Sequence, residues 1–214
     1  MIHTFYIRCI IWCGLCLPLL SCTAPAVSLN VKTLYASPAF SSEQISDQSI
    51  MVLPVLTSDG YSQMLSFDVQ RQFLKKLRSD ITLVGPDSFM NVFGAAHDSV
   101  SLTLFFRSLY TADVLSTQTA DSAWKKMNVP LCMVFRLVNV AKIRAVDGIV
   151  KRRWTVLSEL WNTEEVQTVW RVEVKGIDIG NTHHLQDDEL ILSSINRVWE
   201  SLPAYIPSIH ERNW

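Results

Sequence analysis

The stretch Leu131-Cys-Met-Val-Phe-Arg-Leu-Val-Asn-Val140 decides the fold. Leu131, Met133, Phe135 and Leu137 alternate with Cys132, Val134, Arg136 and Val138, so both faces of an extended chain here are largely apolar. Such a strand belongs in the middle of a sheet with cover on both sides. Downstream, Asp147-Gly148 is a hairpin signal, and Ile149 to Trp161 supplies the returning strand. The polar run Asn162-Thr-Glu-Glu165 turns the chain again. In Val166 to Lys175, Val166, Thr168, Trp170, Val172 and Val174 then share one face, and Gln167, Val169, Arg171, Glu173 and Lys175 share the other. These three strands are expected to form an antiparallel meander with one partly wet face. After a polar loop, Gly176 to Gln186, an apolar stripe of Leu190, Ile191, Ser194, Ile195, Val198, Trp199 and Leu202 repeats at helical spacing until Pro203.

Upstream, Ser49 to Leu56 is an apolar run interrupted by Pro54 and closed by Asp59-Gly60, which suits a buried strand. Leu65, Val69, Phe73 and Leu77 recur every fourth residue and predict a helix, and Ile81 to Val84 supplies a second strand. Strand, helix, strand is expected to be a parallel, right-handed unit. Pro86-Asp87-Ser88 reads as a helix start, with Asp87 or Ser88 as the cap. Val100 to Tyr110 fits either a helix or a strand by pattern, and a helix supplies the cover that the sheet needs. Ala120, Ala123, Trp124 and Met127 mark a further helix, ended by Asn128-Val129-Pro130. The order β-α-β-α-β-β-β-α defines one α+β domain, residues 49–204, with helices packed on a mixed sheet. Residues 205–214 form a tail without a period.

The amino terminus has a different design. Arg8 precedes an uncharged run from Cys9 to Leu20, followed by small residues, which is the layout of a secretory leader. The run is about 12 residues, short of the roughly 20 that a bilayer-spanning helix needs. Leu19-Leu20-Ser21-Cys22 resembles the lipobox of bacterial lipoproteins. That resemblance implies removal of residues 1–21 and acylation of Cys22 with chains such as palmitate. It also implies, because Thr23 rather than Asp follows, a place on the periplasmic face of the outer membrane. Two acyl chains suffice for stable anchoring. An ordinary secreted protein cut near Ala24 or Ala26 is the alternative. Residues 22–48 then read as the lipidated cysteine and a tether, since small and polar residues dominate. Leu34, Tyr35 and Phe40 are apolar enough for part of it to dock on the domain.

Of five cysteines only Cys132 lies beyond residue 22, so the processed body has no internal disulfide. Without the leader, 18 Lys+Arg face 20 Asp+Glu. That balance gives no basic field and no electrostatic case for nucleic acid.

The domain resembles the superfamily shared by the amino-terminal domain of TolB, the curli-export lipoprotein CsgG and the penicillin-binding-protein activator LpoB. The likeness rests on Ile50-Met-Val-Leu-Pro-Val55, Ile81-Thr-Leu-Val84, Met127-Asn-Val-Pro-Leu-Cys-Met-Val134 and Val166-Gln-Thr-Val-Trp170. Two features depart from it: Arg136 stands where a Gly is common, and the Thr-Gly turn is replaced by Asn162-Thr-Glu-Glu165. The pore-forming relatives need amphipathic hairpins of about ten residues per strand. No insertion of that length is evident, so the resemblance implies an envelope module and not a pore.

Candidate chemistry is sparse. His183-His184 with Asp187, Asp188 and Glu189 has metal-ligand residue types, but adjacent His side chains diverge in extended chain, and Asp187-Asp188 suits a helix start. Cys132 reads as a buried, inert thiol. Glu164-Glu165 reads as a solvated turn, and Lys151-Arg152-Arg153 as a solvated strand edge able to meet a partner or anionic lipid. The function expected is therefore that of a membrane-anchored, non-catalytic interaction or assembly module of the cell envelope, without cofactor or metal. Its protein partner is unidentified, and the sequence leaves open whether it forms a homo-oligomer. The alternative is an envelope hydrolase or metal-dependent enzyme built on His183 and His184.

Overall fold

Period-two apolar runs need a shared sheet to satisfy their backbones, and the computed structural model gathers them into a single mixed one. It describes residues 27–38, 40–41, 48–62, 82–96, 99–112, 127–144, 150–180 and 187–203, with Ile45, Leu65, Asp68 and Lys125 between them. The strands are β1 (Val27–Ala36), β2 (Ser49–Val52), β3 (Val55–Thr57), β4 (Gly60–Ser62), β5 (Thr82–Val84), β6 (Leu131–Arg144), β7 (Val150–Asn162) and β8 (Gln167–Gly180). The helices are α1 (Pro86–Ala96), α2 (Ser99–Ala112) and α3 (Asp187–Ser201). The sheet runs β1-β8-β7-β6-β2-β5, with β3 continuing β2 alongside β6 and β4 folding back on β3.

β6 is central, as its two apolar faces require. β7 lies antiparallel on one side, and β2 and β3 lie parallel on the other. Pro54 splits what reads as one strand into two, because it has no N–H for the ladder. Leu53 keeps the register by donating to the Met133 carbonyl, 3.0 Å away. β2 pairs in parallel with β5, as the strand-helix-strand reading expects. The helix predicted from Leu65 to Leu77 falls mostly outside the described residues, although Leu65 and Asp68 are helical. The same holds for the helix at 119–127, of which Lys125 and Met127 are described as helical.

Each face of the sheet has its own core. On the first, α3 packs Leu190, Ile191, Ile195, Val198 and Trp199 against Met133, Phe135, Trp154, Leu160, Val172 and Val174. On the second, α1 and α2 set Phe89, Phe93, Phe105, Phe106 and Leu109 against Met51, Leu53, Leu56, Cys132 and Val134. The α1 start differs from expectation. Pro86 is already helical, so Gly85 occupies the cap position and accepts a bond from Ser88 N–H at 3.1 Å, while Asp87 adds a negative charge to the first turn.

Three expectations are corrected. Residues 27–36 are not tether: β1 lies antiparallel on β8 from Val27↔Asp178 to Ala36↔Trp170 and forms the sheet edge. Val27, Leu29, Val31 and Phe40 pack on the first core, and Ile45 is wholly buried in it. β8 does not stop at Lys175 but runs to Gly180. Gly176 is part of the strand because it sits opposite Trp154, whose indole fills the space a side chain would take: an added Cβ would lie 2.0 Å from Trp154 Cε2. The faces of β8 also change partway. A register shift between Leu160 and Trp161 makes Val169 an extra residue, so Val166 packs with the second core while Val169, Trp170, Val172 and Val174 pack with the first.

Candidate functional site

Helices α1 and α2 contact β2, β3 and β4; the same face of β7, β8 and β1 carries mixed polar and aliphatic side chains. Directly paired residues share a face, so the register lays out the surface as rows. Near the middle are Leu157↔Glu173↔Lys32 and Thr155↔Lys175↔Asn30. Toward one end come Arg153↔Ile177↔Ser28 and Ile143↔Lys151↔Ile179. Ile143, Ile177 and Ile179 are exposed large hydrophobics, as are Val138 on β6 and Leu34 and Tyr35 on β1, while the exposed Val140 pairs with Trp154 on the opposite face.

The boundary between the helix-covered and the exposed parts of this face is an ion cluster. Glu159 of β7 is fully buried and faces Arg136 of β6, with Arg136 Nη2 2.6 Å from its Oε1. Arg171 of β8, directly across the ladder, closes on the same oxygen. Trp161 Nε1 donates to Glu159 Oε2 at 3.3 Å, and Arg136 Nη1 reaches the Leu109 carbonyl of α2 at 3.5 Å. Burial pulls the Arg136 pKa below its ordinary value, and the Glu159 carboxylate opposes that shift. One carboxylate therefore holds two guanidinium groups and ties three strands to α2. This arrangement positions the sheet.

At the far end of the meander, Asn162 Oδ1 accepts from the N–H groups of Glu164 and Glu165 at 2.9 and 3.1 Å. Thr163 Oγ1 donates to the Val129 carbonyl at 2.6 Å. An open groove of about 750 Å³ lies here, bordered by Lys125, Asn128, Pro130, Thr163, Glu164 and Val166. Asn128 and Val166 have φ of 50° and 52°. That region is tolerated by Asn but strained for a β-branched residue.

Of the residues singled out in the sequence, Cys132 is buried against the second core, and burial drives its thiol pKa far above the ordinary value, so it is no nucleophile. Glu164 and Glu165 are exposed in the turn. The run Lys151-Arg152-Arg153 divides: Arg152 pairs with the buried Asp178 at 2.8 Å on the α3 face, while Arg153 is exposed and Lys151 half-exposed. Cys22, His183 and His184 lie outside the described residues, and Asp187, Asp188 and Glu189 begin α3. Among the described residues no three His, Cys, Asp or Glu side chains gather as metal ligands, and no helix is long and apolar enough to cross a membrane. The Glu159 cluster went unread because its members lie on three strands and meet only through the register. The available signal was a charge in the interior of each otherwise apolar strand.

The protein thus has an α+β domain: a mixed sheet with helices on both faces, one of which, among the described residues, carries exposed side chains across β7, β8 and β1. No family model and no curated protein matches the sequence. Its structural neighbours include bacterial lipoproteins. It is similar to the PelC dodecamer from Paraburkholderia phytofirmans, at 12% identity over 84% of this chain and 100% of that one, with a TM-score of 0.46. It is also similar to lipoprotein GNA1162 from Neisseria meningitidis, at 11% identity over 72% and 99% of the two chains, TM-score 0.46. The LpoB C-terminal domain from Salmonella enterica matches at 10% identity over 65% and 86%, TM-score 0.40.

Proposed function

We propose that this protein is a lipid-anchored module of the bacterial cell envelope that works by binding, in secretion, assembly or peptidoglycan synthesis, within the superfamily of TolB, CsgG and LpoB. Cys22 carries the acyl chains, and Thr23 after it directs the protein to the periplasmic face of the outer membrane. The observation that carries the binding role is this exposed surface of β7, β8 and β1. Leu157 and Thr155 lie on β7 with strand neighbours on both sides, and Lys32 and Tyr35 lie on the β1 edge beside β8; mixed polar and apolar groups there suit a protein partner.

A photo-crosslinking residue at Thr155, introduced into the protein in its own envelope, tests this reading. A discrete adduct of fixed mass is expected, and it should be lost when Cys22→Ser leaves the precursor unanchored. Absence of any adduct at Thr155 and at Lys32 would remove the exposed face as the binding surface. Purified protein carrying His183→Ala and His184→Ala separates the enzyme alternative: loss of bound zinc together with a hydrolytic activity would show that the module reading is wrong.

A further inference from the structure

The anchor reading of Cys22 combines with β1 in a way that the tether expectation concealed. Because β1 begins at Val27, only five Cα steps separate it from Cys22, a reach of at most about 18 Å. Val27 pairs with Asp178, so β1 begins at the end of the sheet where β6 finishes, β7 starts and β8 finishes. The opposite end, the turn at Glu164, is about 40 Å away along the 13 residues of β7.

That near end has the composition of a lipid-facing surface. Ile143, Ile177 and Ile179 are 45%, 38% and 53% exposed, large values for side chains that gain nothing from water. Lys151 and Arg153 stand beside them on the same face, Lys142 and Arg144 lie on the opposite face of β6 at the same end, and the acid Asp178 is buried and ion-paired with Arg152. Long cationic side chains beside aliphatic ones suit the headgroup region, where Lys and Arg are attracted to an anionic surface. We propose that this end of the sheet rests on an anionic phospholipid surface, so that the domain stands on the membrane with β6, β7 and β8 rising from it. The proposal depends on acylation of Cys22 for its geometry.

The test uses the mature, lipidated protein in vesicles of phosphatidylethanolamine and phosphatidylglycerol containing a nitroxide-labelled lipid. Cys132 is buried, so single fluorescent labels can be placed at Ile179→Cys, Glu164→Cys and Ala36→Cys. Several-fold stronger quenching at 179 than at the other two positions is expected, and Lys151→Glu with Arg153→Glu should reduce it. Equal quenching at 179 and 36 would mean that the domain lies on its β1 edge, and stronger quenching at 164 that it stands inverted. Either result overturns the proposal while leaving the anchor intact. Mass spectrometry of the same preparation reads the anchor separately: an unmodified Cys22 would overturn both. The unlipidated Cys22→Ser chain should still sediment more with anionic than with zwitterionic vesicles. Equal sedimentation would exclude the charge complementarity.

Discussion

A methyl group at position 176 would meet the ring of Trp154, whose Nε1 donates to Ser194 Oγ of α3 at 2.7 Å. The indole cannot retreat without losing that bond, so Gly176→Ala should destabilise the fold by about 2 kcal/mol, as overpacking a tight core does. Urea titration of the variant measures this. Combining it with Trp154→Leu should give less than the sum of the two single effects, since the clash disappears with the ring. This glycine was misread because Gly is ordinarily a turn signal, although Ile177-Asp178-Ile179 continues the strand alternation after it; its meaning depends on a partner 22 positions earlier in the chain. Val166 gives the complementary case. Its φ of 52° is taken up at the end of a turn that Asn162 and Thr163 hold in place, and no property of valine announces it.

The central strands, by contrast, were legible, because β6 and the two strands after it are long, apolar and bounded by turn residues. β1 was not, although Val27, Leu29 and Val31 alternate with Ser28, Asn30 and Lys32. An edge strand buries only part of one side, and small polar flanks hid the alternation. Removing residues through Ala36 from the soluble chain should lower the urea midpoint and promote aggregation by baring the β8 backbone; an unchanged midpoint would mean that β1 adds nothing to stability. Glu159 tests the cross-strand clamp. Glu159→Ala leaves the buried Arg136 guanidinium without its carboxylate and should cost about 3–5 kcal/mol, whereas Arg136→Met with Glu159→Leu should recover much of that loss. If the double variant were as unstable as the single, the carboxylate would be stabilising more than its ion pair. The sequence could not show the clamp, since register shifts at Val138 and Val169 alter which residues share a face.

Two cores on opposite faces of one sheet share β2, β3, β6 and β7, so neither can melt alone. Trp154, Trp170 and Trp199 report on the first and Trp161 on the second. Tryptophan fluorescence and far-ultraviolet circular dichroism should therefore trace coincident unfolding curves, and two separated transitions would show that the layers are independent. In the proposed anchoring, the early start of β1 also has a kinetic consequence. A leash of five residues confines the body to a shell about 2 nm deep, so its search for a membrane-embedded neighbour becomes two-dimensional, at an effective concentration in the millimolar range. Contacts too weak to hold in free solution would then be enough to assemble it.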